Sequence, residues 1–209
     1  MTAADPVAQG LVASLSRPGG NLTGITNLGS EVGPKRLELV RELIPNATVV
    51  VLLINPVNAG STLEDMQAAA GALGLRLRVL RASTDQDIDA AFATLAQERA
   101  DALVISPNPF FTSKSGELAA LALSHALPAI YQYREFAIAG GLMSYGSDLA
   151  EAYRLSGIYT GRILKGDKPA DLPVQRATKV ELLINMKTAK ALGITFPLTL
   201  LGRADEVIE

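Results

Sequence analysis

The chain has 209 residues, 19 basic and 21 acidic, for a net charge of −2 with no strong run of either sign, which argues against a nucleic-acid surface. There is no cysteine and one histidine, so disulfides, thiolate chemistry and multi-histidine metal sites are excluded. Nearly half the residues are apolar, enough for a sizeable core, yet no stretch approaches the ~20 continuous apolar residues of a membrane span.

In chain order, Asp5 and Pro6 predict a helix to Ser16, with Asp5 as cap and Pro6 at the first helical position. Arg17 to Asn21 is a turn cluster, and Leu22 to Asn27 alternates as a short strand. Gly33 to Ile44 reads as a helix with Leu37, Val40, Leu43 and Ile44 on its apolar stripe and Arg36, Arg41 and Glu42 opposite. The run Thr48 to Asn55 is a buried strand. Ser61 and Glu64 have capping-box spacing ahead of Leu63, Met66, Ala70 and Leu73, with Gly74 as terminator. Leu75 to Leu80 is the next strand. Ile88, Ala91, Phe92, Leu95 and Ala96 form a helical stripe capped by Ser83 or Thr84.

Ala102 to Ser106 is a further strand, followed by a helix through Leu118, Leu121 and Ala122 and the short strand Ala129 to Tyr131. Gly140 to Gly146 reads as a strand between glycines. Ser147 or Asp148 then caps a long helix to Lys165, whose Ser156, Gly157 and Gly161 suggest close helix packing. After an exposed turn at Gly166 to Pro173, Lys179 to Asn185 is a last strand and Met186 to Leu192 a last helix.

The alternation from Lys35 to Tyr145 predicts an α/β fold: a parallel sheet with helices on both faces. In such sheets ligands lie beyond the carboxyl ends of the strands. Those ends carry Asn55, Pro56, Asn58, Ser106, Asn108, Tyr131 and Arg134. They offer hydrogen bonds, a ring and a charge, which suits holding a small molecule better than transforming it. The segments before Gly33 and after Gly146 belong to a separate unit, the pattern of two lobes joined by crossing strands.

Several strings resemble one family of ABC-transporter substrate-binding proteins, with members that bind tryptophan and other aromatic amino acids. They are Asp5 to Gly24, Lys35 to Pro45, Asp101 to Val104, Gly140 to Gly146, Gly161 to Gly166 and Lys187 to Gly193, in order along almost the whole chain. The resemblance implies a periplasmic-binding-protein-like fold, two α/β lobes with a ligand cleft between them, no cofactor, and ABC permease and ATPase subunits as partners. It implies a periplasmic or extracytoplasmic location, although the opening residues show no signal peptide. Family members begin with further strand–helix units. The expectation is therefore a complete C-terminal α/β lobe at 34–145, with 1–33 and 146–209 as hinge and remnant of the N-terminal lobe.

Each candidate site residue has a plainer alternative. Asp5 is a cap or meets a ligand amino group, and Asn27 is a turn former or a cleft donor. Asn55 and Asn58 serve turn chemistry or, with helix-start N–H groups, bind a carboxylate. Asn108 lies in the equivalent loop one strand on, where Phe110 or Phe111 either plugs the core or stacks on a ligand ring. Tyr131 follows the next strand. Arg134 grips a carboxylate or pairs with a neighbouring acid such as Glu135. Tyr145 lines the cleft or packs at the crossing. His125 reads as a helix C-terminal cap. Two rival functions stay open: an effector-sensing domain of a regulator, which calls for a DNA-binding head, and a small α/β isomerase, which needs an acid–base pair.

Overall fold

The computed structural model describes residues 6–27, 32–58 and 60–209. In chain order the elements are β1 (Ile25–Asn27), α1 (Gly33–Leu43), β2 (Val49–Ile54), α2 (Gly60–Ala72), β3 (Arg76–Arg81), α3 (Asp85–Glu98), β4 (Ala102–Ile105), α4 (Pro109–Ser113) and α5 (Ser115–Ser124). They continue with β5 (Ala129–Tyr131), α6 (Arg134–Ile138), β6 (Met143–Ser147), α7 (Leu149–Leu164), β7 (Gln175–Ala177), β8 (Val180–Asn185), α8 (Met186–Ala191), α9 (Leu198–Leu201) and β9 (Glu206–Ile208). The chain divides into two compact units, Met1–Ser30 with Ser147–Val180, and Glu31–Gly146 with Glu181–Glu209.

The larger unit is built on a seven-stranded sheet of order β3-β2-β4-β5-β6-β8-β9. The β2–β3, β2–β4, β4–β5 and β5–β6 pairings are parallel, as the alternating sequence pattern predicts, and β8 and β9 also pair in parallel. β2 is buried along its whole length. Its Val50, Leu52 and Ile54 pack in one cluster with Leu37, Val40 and Leu43 of α1 and Met66 and Ala70 of α2. Val49, Val51 and Leu53 are buried outside that cluster. A strand covered on both faces reads as a continuous apolar run rather than an alternating one. β3 is the sheet's edge, and its Arg76, Arg78 and Arg81 are exposed. Helix α3 starts with a full capping box between Thr84 and Asp87, which reciprocally satisfies two of its orphan amides.

In the smaller unit β1 pairs with β7 in parallel, with Ile25 opposite Gln175. Ile25, Ala177 and Ala152 of α7 form a small core with Leu155 against it. Tyr159 Oη donates to the Pro173 carbonyl at 2.7 Å. Asp148 caps α7 as predicted, accepting from the Glu151 amide at 3.2 Å.

Several expectations are corrected. Pro6 to Ser16 forms turns and bends rather than a helix. Gly10 takes φ +68°, and Val7 and Leu11 face solvent, so no apolar stripe is buried to sustain a helix there. Helix α2 begins at Gly60, which puts Ser61 inside the helix instead of at its cap. Gly157 and Gly161 face open space among the described residues, so they serve no close packing. The boundary expectation also shifts, since Glu181–Glu209 lie with the larger unit and not with the segment after Gly146. Leu182 and Ile184 are buried in its core. The reason is β8, which extends the main sheet and is followed there by β9, a strand too short to show in the sequence. No described helix is long and apolar enough to cross a membrane.

Candidate functional site

Three neighbouring strands, β2, β4 and β5, end in buried polar residues. Beyond β2, Asn55 is buried and its Oδ1 accepts the Val57 amide at 3.0 Å, an Asx turn that opens a single 3-10 turn over Pro56–Asn58. The turn reading of Asn55 therefore holds for its oxygen. Beyond β4, Ser106 is buried and Asn108 caps α4, its Oδ1 accepting the Phe110 amide at 2.8 Å. Pro109 supplies the fixed φ of the first helical residue. Phe111 is a core plug with no exposure, while Phe110 is half-buried beside it, ring centroids 5.6 Å apart.

Beyond β5 the outcomes diverge. Tyr131 is fully buried and stacks on Phe136 at 4.7 Å. Burial pushes its phenol well above the ordinary tyrosine range. Gly141 makes room for the ring, since a Cβ there would lie 2.5 Å from Tyr131 Cε2. The ring is part of the core, which corrects the expectation that Tyr131 is a ligand-binding residue. Arg134 pairs with Glu181 at 3.1 Å and Glu206 at 2.6 Å. It thereby ties the start of α6 to β8 and β9, and the acid it finds is not the adjacent Glu135. His125 is the C-cap of α5, as expected. Asp5 lies outside the described residues, as do the side chains of Asn27 and Asn58.

Two buried side chains at these ends escaped the sequence reading. Gln132, directly after β5, has no exposure, and neither of its amide atoms has a partner among the described residues. Arg36 of α1 is 1% exposed, where the helical stripe had placed it on the solvent side. Its Nε donates to the Tyr145 carbonyl at 2.8 Å, and its Nη2 is without a partner among the described residues. Burial lowers the guanidinium pKa to about 10, against the opposing influence of Tyr133 and Tyr145. The signal was present: residues 36, 40 and 43 lie on one helical face, and the latter two are core. Tyr145 itself is half-buried, and with Lys35, Leu39, Leu182, Arg203 and Asp205 it lines a cavity of about 190 Å³ in the same unit. The described residues contain no cluster of acids and histidine that could hold a metal ion.

A mainly parallel α/β sheet with buried polar side chains at its carboxyl ends, in a chain that passes repeatedly between two units, defines a periplasmic-binding-protein-like protein. Residues 1–208 match the family described as ABC transporter substrate binding protein, and the chain belongs to that family. A tyrosine-binding protein of Clostridioides difficile is 29% identical over 192 residues, which cover 91% of this chain and 55% of that protein. The crystal structure of an ABC domain in complex with L-Trp from Streptococcus pneumoniae superposes with a TM-score of 0.87 at 28% identity, over 98% of this chain and 69% of that one. A conserved domain protein from Vibrio cholerae gives a TM-score of 0.87 at 29% identity, over 97% of this chain and 68% of the other. The chain thus spans 55% of the length of the curated relative it matches.

Proposed function

We propose that this chain is the solute-capturing component of an ABC importer and that its solute is an amino acid with an aromatic side chain. The observation that carries this reading is the row of amide and hydroxyl groups, Asn55, Ser106, Asn108 and Gln132, at adjacent strand ends. It occurs in a chain whose relatives include a tyrosine-binding protein and a structure holding L-Trp. Half-buried Phe110, beside the Asn108 cap, offers a ring against which an aromatic side chain can stack. In this reading the chain performs no chemistry. It works outside the cytoplasm and delivers its load to a permease driven by partner ATPases.

Isothermal titration with L-tyrosine, L-tryptophan, L-phenylalanine and L-leucine tests it. Saturable binding of the aromatic amino acids, weakened in Phe110→Ala, is the expected result. Absence of binding to all four would remove the amino-acid assignment.

A further inference from the structure

The polar groups left over at the carboxyl end of the larger unit's sheet have a composition of their own. Ile130 pairs in register with Met143, and both belong to the cluster that Leu37 and Val40 of α1 cover. Tyr145, two residues on along β6, packs against the same cluster. Side chains alternate along strands, so continuing that alternation past Tyr131 turns Gln132 to the face on which α1 and Arg36 lie. The ends also converge in space. A Cβ on Gly146 would sit 1.9 Å from the Gln132 carbonyl oxygen and 3.3 Å from Arg36 Nη2. The guanidinium and the Gln132 peptide therefore flank one point beside Gly146. Arg36 makes no ion pair among the described residues, and its Nη2 and both amide atoms of Gln132 are buried without a partner there. Buried cations and amides of this kind are held by an opposite charge or by a full set of hydrogen bonds.

We infer that Arg36 and Gln132 form the subsite that reads the charged end of an α-amino acid, with Arg36 Nη2 and Gln132 Nε2 donating to the carboxylate and Gln132 Oε1 accepting from the ammonium group. The inference rests on the amino-acid reading above and adds the residues that distinguish the zwitterion from its analogues. The chemistry is selective. A zwitterion satisfies two donors and one acceptor together, whereas a simple carboxylate leaves Oε1 facing no donor. Tyr133 and Tyr145 are near enough to the guanidinium to act on it electrostatically.

The test is calorimetric titration of the whole chain and of its Arg36→Lys and Gln132→Leu variants. The probes are L-tyrosine, tyramine, which lacks the carboxylate, and 3-(4-hydroxyphenyl)propionate, which lacks the amine. Circular dichroism melting of each variant accompanies the titrations. The wild type should bind L-tyrosine at least tenfold more tightly than either analogue. Gln132→Leu removes a donor and an acceptor without removing charge. It should lose about tenfold for L-tyrosine, which forfeits two hydrogen bonds, and less for each analogue, which forfeits one. Arg36→Lys keeps the charge and loses the planar fork, and should lose most of the preference for L-tyrosine over tyramine. If Arg36→Lys does not fold, Gln132→Leu decides alone. Unchanged L-tyrosine affinity in a folded Gln132→Leu variant overturns the inference and leaves the amino-acid reading in place. No binding of L-tyrosine, L-tryptophan, L-phenylalanine or L-leucine by the wild type overturns both.

Discussion

Lys179 Nζ lies 3.0 Å from Asp148 Oδ2, across 31 residues of sequence, and the other oxygen of the same carboxylate caps α7. The two residues stand where the chain enters and leaves the smaller unit's second segment, and the Asp148 amide also donates to the Lys179 carbonyl at 3.2 Å. Burial works to raise the Asp148 pKa. The Lys179 hydrogen bond, the amides of Glu151 and Ala150 and the lysine charge outweigh it and hold the carboxyl below its ordinary value.

A carboxyl whose folded pKa is depressed stabilises the fold above its unfolded pKa, and that contribution is lost as pH falls through the folded value. Wild-type stability should therefore decline below about pH 4, the unfolded aspartate value. Asp148→Ala should cost about 1 kcal/mol at neutral pH through the lost cap. It should also flatten the acid limb of the stability profile. Lys179→Ala should cost less, because that side chain is mostly exposed and such pairs contribute about 0–1 kcal/mol. Chemical denaturation from pH 3 to 7 measures all three.

Asn108 has a structural duty that competes with any role in binding. Asn108→Ala should lower stability by about 1 kcal/mol through loss of the α4 cap. Asn108→Ser keeps an oxygen for the cap and discards the amide. Near-native melting with weakened L-tyrosine binding in Asn108→Ser would assign the amide to the ligand, and native affinity would confine Asn108 to capping.

Arg134 should prove structural. Arg134→Ala removes one partner each from buried Glu181 and exposed Glu206, and a stability loss on the order of 1–3 kcal/mol is expected. Ligand affinity should stay within a factor of two or so. A large drop in affinity at preserved stability would return Arg134 to the site.

Glycine substitutions should divide by surroundings. Gly146→Ala forces a Cβ to within 1.9 Å of a backbone oxygen, and the overpacking should cost at least about 1–3 kcal/mol. Gly157→Ala and Gly161→Ala meet open space within α7 and should each raise stability by about 0.5–1 kcal/mol. Thermal melts of the three variants check the ordering.

The sequence showed the centre of the larger sheet because β2 and β4 are buried on both faces and so appear as uninterrupted apolar runs. It also located the carboxyl-end loops at Asn55 and Asn108. It could not say what their oxygens bond, because the Val57 and Phe110 amides they accept from become available only once the following turn has formed. Pro6 to Ser16 misled because a good cap and a proline at the first helical position favour a helix only where an apolar face is also buried. Tyr131 was ambiguous for a related reason: its side is decided by register with Ser144, a long-range pairing. Arg36 lies on the Val40 and Leu43 face of α1 despite its charge, a burial that a stripe of apolar residues does not reveal.

The arginines of β3 bear on what the edge of the larger sheet can pair with. A parallel sheet ends somewhere, and at β3 an unpaired row of backbone donors and acceptors faces outward. Arg76, Arg78 and Arg81 surround that row with positive charge, and Arg78 is held by Glu98 at 3.3 Å. A strand from a second molecule would have to place its own β3 arginines against these, so the edge repels the partner most similar to itself. Neutralising the three together would leave Leu77, Val79 and Leu80 in a β-prone stretch without its guard, converting a quiet margin into a template for fibrillar growth.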